Sequence, residues 1–146
     1  MYSVTELKNS NNRSIQINCV RGDVVAGEDG AIKIIKKENL YSEEYLPYAT
    51  DSNGWLIQIE DVYMVNKNSI FIISSDGVIA HYKKEIHNTN SIKNNESAND
   101  WNYKILLENE ECYYEIKEAT IIAYLLSLYI NTEFSGVKEY TFDIAN

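Results

Sequence analysis

Histidine is scarce in this chain. His81 and His87 are the only two, and histidine is the usual general base near neutral pH. Both fall in or beside one expected strand. If that strand is regular they share a face but stand about 20 Å apart, at ~3.3 Å per residue. One substrate could not then be gripped by both, so they read as surface groups alongside Lys83 and Glu85. Cysteine is equally sparse. Cys19 and Cys112 form no C-x-x-C pair and lie on the apolar sides of alternating segments, where they read as small buried hydrophobes. A disulfide between them would need export and neighbouring strands.

Phosphate-binding glycine loops are missing. Gly27-Glu28-Asp29-Gly30 fits neither G-x-G-x-x-G nor a P-loop, and its carboxylates repel phosphate. No G-x-S-x-G is present, which removes the nucleophile elbow. Asp51-Ser52-Asn53-Gly54 shares a fragment of a calcium loop but lacks the preceding ligand and the closing glutamate, so it reads as a solvated turn. Arg21-Gly22-Asp23 spells an adhesion tripeptide and reads as a turn between strands. No catalytic residue, metal-ligand set or cofactor site follows from these patterns. The longest apolar run, Ala119 to Ile130, falls short of the ~20 residues that cross a bilayer. The first six residues show no basic region leading into an apolar stretch, so the expectation is a cytoplasmic protein without a signal peptide.

Positive charge is the remaining shortage. Thirteen basic against 22 acidic residues give a net charge of −9, a field that repels nucleic acid and anionic membranes and attracts basic partners. The 146 residues, with 45% hydrophobic content, suit one domain with a real core. Within it, Ile15, Ile17 and Cys19 alternate with polar residues. Val24-Val25, the Gly27–Gly30 turn and Ala31 to Ile35 read as strand, turn, strand. Trp55, Ile57 and Ile59 alternate with polar partners. Ser69 to Ser75 is apolar on both faces, as a central strand covered on both sides would be, and Asp76-Gly77 joins it to Val78–Ile86.

A hairpin is expected from Trp101–Leu107 through Asn109-Glu110 to Cys112–Ile116. From Ala119 to Ile130 strict alternation fails and helix formers dominate. That predicts a broadly buried helix ended by Phe134-Ser135-Gly136, with Gly136 as C-cap. A shorter helix is expected over Glu38 to Leu46, stopped by Pro47, and a last strand over Tyr140, Phe142 and Ile144. Residues 88–100 are too polar to bury and read as a mobile solvated loop. The expected fold is therefore α+β, a mostly antiparallel sheet with one central buried helix near the C-terminus, in a single domain over residues 1–146.

The charge pattern points to binding. No basic residue occurs between Lys37 and Lys67, while Glu43, Glu44 and Glu60 accompany Tyr45, Tyr48 and Trp55. Between Lys104 and Lys117 the pattern returns, with Glu108, Glu110 and Glu111 beside Tyr113 and Tyr114. Carboxylates steer an encounter with a basic face, and tyrosines fill pockets at little entropic cost. The candidate partner-binding residues are thus Glu43, Glu44, Tyr45, Tyr48, Glu60, Glu108, Glu110, Glu111 and Tyr113. Trp55 and Tyr114, on the apolar sides of their strands, are expected in the core.

In general character, small, acidic, tyrosine-rich and without catalytic residues, the chain resembles bacterial immunity proteins that neutralise nuclease toxins. The resemblance implies occlusion of a basic nuclease's active site, by a monomer or weak dimer that binds neither nucleic acid nor membrane. The alternatives are a small metal-independent nuclease using His81 or His87, a phage-type inhibitor that mimics nucleic acid, and a structural or assembly subunit.

Overall fold

The computed structural model describes residues 2, 4, 6–36, 42–85 and 100–145. Eleven strands run through them: β1 (Ile17–Arg21), β2 (Val24–Gly27), β3 (Ile32–Lys36), β4 (Ser42–Tyr45), β5 (Ile59–Asn66), β6 (Ser69–Ser74), β7 (Val78–Lys84), β8 (Trp101–Glu108), β9 (Tyr113–Ile122), β10 (Leu125–Thr132) and β11 (Gly136–Asp143). They form three antiparallel sheets, β1–β4, β5–β8 and β9–β11, and within each sheet every strand pairs with its neighbour in sequence. Among the described residues there is no helix, so the expected α+β class with a central helix is replaced by an all-β architecture.

The middle sheet is covered on both faces. Ile70, Ile72, Val78, Ala80 and Tyr82 face one core with Val24, Ala26, Ile32 and Ile34 of the first sheet. Phe71, Ile73 and Ile79 face a second core with Tyr113, Ile116, Ala119, Leu126, Leu128 and Ile130 of the third. Strand β6 is accordingly buried at every position, which is why it has no polar face.

The segment expected to be the central helix is the β9–β10 hairpin. Strand β10 does alternate: Leu126, Leu128, Ile130 and Thr132 are buried while Leu125 and Tyr129 are exposed. Two things hide that alternation in the sequence. The outward positions are themselves apolar, at Ile122, Tyr124, Leu125 and Tyr129. In addition, β9 is bulged where it pairs with Tyr129/Ile130 and with Asn131/Thr132, so its inward residues fall at Tyr113, Ile116 and Ala119, a spacing of three that mimics a helix. The turn at Ala123-Tyr124 carries no glycine, asparagine or aspartate, and Ala123 takes φ +57°. Phe134-Ser135-Gly136 is a β-turn into β11, with the Thr132 hydroxyl donating to Gly136 O at 2.8 Å, and Gly136 caps no helix.

Other expectations need correction. The segment read as a helix over Glu38–Leu46 contains β4, which pairs with β3; residues 38–41 lie outside the described residues. Strands β8 and β9 form no hairpin, because the chain crosses from the middle sheet to the third at Asn109–Cys112. Gly77 holds that crossover. Asn109 N donates to Gly77 O at 3.0 Å, and at φ +82° a Cβ on Gly77 would stand 1.9 Å from Asn109 O. Ile17, on the expected apolar side, is exposed because β1 bulges between Ile17 and Cys19. Of the polar loop 88–100, residues 88–99 lie outside the described residues. No described helix is long and apolar enough to cross a membrane.

Candidate functional site

One end of the middle sheet gathers carboxylates from four separate connections. Asp51 opens a turn that its own carboxylate holds, accepting from Asn53 N at 2.9 Å and Trp55 N at 3.0 Å. Ser52 N donates to the Glu108 carboxylate at 3.2 Å, which ties this turn to the end of β8. Asp76 sits exposed in the β6–β7 turn, against which the Asn109–Cys112 crossover is docked. Glu133, in the β10–β11 turn, donates its backbone N–H to Cys112 O at 3.1 Å. Glu110 lies exposed on the crossover itself.

Glu133, Asp76 and Glu60 lie close enough together to act on the same side chain of the crossover. The Cys112 thiol is pushed up first by its hydrogen bond to Glu133, then by burial and the fields of Glu133, Asp76 and Glu60. The Tyr114 hydroxyl is pushed up first by burial and then by Glu133. Aromatic side chains stand among the carboxylates in solvent. Trp55 is 73% exposed, Phe134 83% and Tyr114 48%. Trp55 and Tyr114 were expected in the core. Trp55 instead rides the Asp51 turn ahead of β5, and Tyr114 is turned outward at the bulge opposite Asn131/Thr132.

The nine residues singled out from sequence divide into two groups. Glu60, Glu108, Glu110 and Glu111 are brought to this acidic end from positions fifty apart in the chain. Glu60 accepts from Gln58 at 2.7 Å, while Glu111 accepts from Tyr140 at 3.2 Å and pairs with Lys138 at 3.4 Å. Tyr113 lies beneath them, fully buried, accepting from Asn109 Nδ2 at 2.7 Å with its ring edge-on to Tyr140.

The other group lies on and beside β4, and its charges are engaged within the molecule. Glu43 pairs at 2.8 Å with Lys33, whose side chain is buried, and also accepts from the Tyr45 hydroxyl at 3.0 Å. Glu44 pairs with Lys84 at 2.9 Å. Tyr48 accepts from Asn11 at 3.3 Å. Sequence reasoning missed Asp51, Asp76 and Glu133 as members of the acidic end. The available signal was that all three fall in turns, and an antiparallel meander returns alternate turns to the same end.

His81 does not lie on an exposed face. It is 7% exposed, stacked on Phe71 at 4.3 Å between centroids, with Nε2 3.3 Å from the Ser69 hydroxyl. Burial, then the fields of Lys83 and Lys104, lower its pKa to about 4. His87 lies outside the described residues. Among the described residues no group of three or more His, Cys, Asp or Glu side chains could hold a metal ion. Arg21 of the Arg-Gly-Asp turn is spent internally, on Asp61 at 2.9 Å and on Ile116 O at 3.0 Å. No protein-family model, no curated protein and no solved structure matches the chain.

Proposed function

We propose that this chain is an acidic protein-binding inhibitor of the immunity type, which neutralises a basic nuclease toxin in the cytoplasm by covering its active site. The docking surface is the end built from Asp51, Glu60, Asp76, Glu108, Glu110 and Glu133. Its carboxylates take the positions that substrate phosphates would occupy in the toxin's basic cleft and accelerate the encounter. Trp55 and Phe134 supply rigid apolar anchors that slow dissociation.

The observation that carries this reading is the pairing of exposed aromatics with exposed carboxylates at one end of the sheet. The carboxylates of β4, by contrast, are engaged by Lys33 and Lys84. The rival reading of His81 as a nuclease base is disfavoured. A general base works best with a pKa near the operating pH, and an imidazole buried with a pKa of about 4 is far from it.

The test is a pull-down from the source lysate at low and high salt, followed by a nuclease assay on what is captured. The reading expects one basic nuclease, released by salt and inhibited at about one equivalent of the purified chain. Capture of no nuclease at either salt, or of one that cleaves undiminished with the chain bound, removes it.

A further inference from the structure

Most strands at the sheet edges are protected against further pairing, and β11 is not. The pairings of β1, β5, β8 and β9 carry bulges, and β4 is four residues long. Strand β11 runs for eight residues in unbroken register with β10 and contains no proline. Its lysine, Lys138, is turned to Glu111 at 3.4 Å. The edge also offers backbone groups. Ile144 N donates to Tyr124 O at 2.8 Å, and in an antiparallel ladder bonded and non-bonded pairs alternate. Phe142, Tyr140 and Lys138 are therefore bonded to β10, while the N–H and C=O groups of Val137, Glu139, Thr141 and Asp143 point away from it. No backbone hydrogen bond from another described residue reaches them.

The side chains of those same residues select what can pair there. Two copies of β11 meeting antiparallel about a two-fold axis must match these residues with one another, because the intervening ones are already bonded. With the axis at Tyr140, Glu139 faces Thr141 of the second copy and Val137 faces its Asp143. Every outward backbone group is then used. Each Thr141 hydroxyl also stands opposite a Glu139 carboxylate, which within its own copy accepts from Tyr129 at 2.9 Å. Shifting the axis by one residue sets Glu139 against itself in one direction and against Asp143 in the other. Like charges directly opposite destabilise a sheet, and larger shifts give up ladder bonds, so one register survives. The net charge of −9 on each copy opposes the approach and is screened by salt.

We infer that two copies of this chain associate through β11, joining their third sheets into one continuous sheet about a two-fold axis at Tyr140. The inference rests on the open edge and does not depend on the docking reading. Sedimentation equilibrium of the full chain measures it from micromolar to millimolar concentration, at ~0.05 M and ~0.5 M salt. A monomer–dimer equilibrium tightened by salt is expected, whereas capture of a basic nuclease is loosened by it. Amide exchange at Val137, Glu139, Thr141 and Asp143 should slow as the dimer forms. Thr141 is exposed. Thr141→Glu sets a carboxylate opposite Glu139 at both symmetric positions and should weaken the dimer ~10-fold or more, with the amide spectrum of the monomer still folded. Thr141→Pro deletes an outward N–H without touching the bonds to β10 and should also weaken it. If that variant fails to fold, Thr141→Glu alone decides. A chain monomeric at millimolar concentration in high salt, a dimer indifferent to Thr141→Glu, or a dimer whose exchange protection falls outside β11 would each overturn the inference.

Discussion

Replacing Asp61 with alanine removes a side chain at which all three sheets meet. Its carboxylate, buried on β5, accepts from Arg21 Nη2 of β1 at 2.9 Å and from Ile116 N of β9 at 2.7 Å. It also accepts from Val62 N at 2.8 Å and from the Cys19 thiol at 3.3 Å. That thiol, pushed up to about 12 by burial first and then by the Asp61 hydrogen bond, stays protonated and able to donate. Arg21 closes the arrangement by donating to Ile116 O at 3.0 Å and lying 5.1 Å over the Tyr63 ring.

Breaking a buried ion pair by deleting one partner costs about 3–5 kcal/mol, because the surviving charge is left buried. The Arg21 side chain is 34% exposed and can rehydrate in part, which pulls the value to the low end. The orphaned Ile116 N–H adds about 1–3 kcal/mol. Asp61→Ala should therefore lose about 4 kcal/mol, much of the stability of an ordinary domain. Asp61→Asn, which keeps one acceptor, should lose about 2 kcal/mol, and exposed Asp23→Ala less than about 0.5 kcal/mol. Urea unfolding followed by the fluorescence of Trp55 and Trp101 measures all three. A loss below about 1 kcal/mol for Asp61→Ala, or equal losses for Asp61→Ala and Asp23→Ala, would refute the assignment of Asp61 as the link between sheets.

Three further substitutions test other parts of the fold. Ala123→Gly should raise stability by about 0.5–1 kcal/mol, since φ +57° costs alanine more than glycine loses in chain entropy; a lower melting temperature would contradict this. Gly77→Ala should cost more than about 2 kcal/mol, because its Cβ would meet the backbone of the crossover, and an unchanged urea midpoint would be inconsistent with that contact. His81 holds a folded pKa of about 4 against an ordinary 6.5, so on acidification the unfolded chain takes up the proton first. Its stabilising contribution is complete above about pH 6.5 and lost by about pH 4, up to ~3 kcal/mol. An NMR titration of the imidazole with a midpoint near 6.5 would exclude it.

Much of the strand content was legible because burial on one or two faces writes itself as alternation or as a continuous apolar run. β6 and the Asp76-Gly77 turn are examples, as is the Gly27–Gly30 turn between β2 and β3. The third sheet was illegible for identifiable reasons. Its outer face keeps Ile122, Leu125 and Tyr129 in solvent, its bulges reset the period of β9, and its tight turn uses an alanine where glycine gives the usual signal. Trp55 and Tyr114 show the same limit, since a side chain's hydrophobicity says little when a local turn or bulge decides its direction. Sequence showed where carboxylates are dense but not which ones lysines would engage. Lys33 and Glu43 are ten residues apart and meet only through the β3–β4 pairing, while Lys84 reaches Glu44 from another sheet.

The most direct test of the docking account compares two charge reversals against the captured nuclease, Glu110→Lys/Glu133→Lys and Glu43→Lys/Glu44→Lys, each first shown to be folded. Association rate and affinity are measured over a range of salt. The account predicts that Glu110→Lys/Glu133→Lys slows association ~10-fold or more at low salt and flattens the salt dependence, while Glu43→Lys/Glu44→Lys leaves the association rate near that of the unaltered chain. Slower association from the β4 pair, with the Glu110/Glu133 pair indifferent, would contradict it and move the interface to the first sheet.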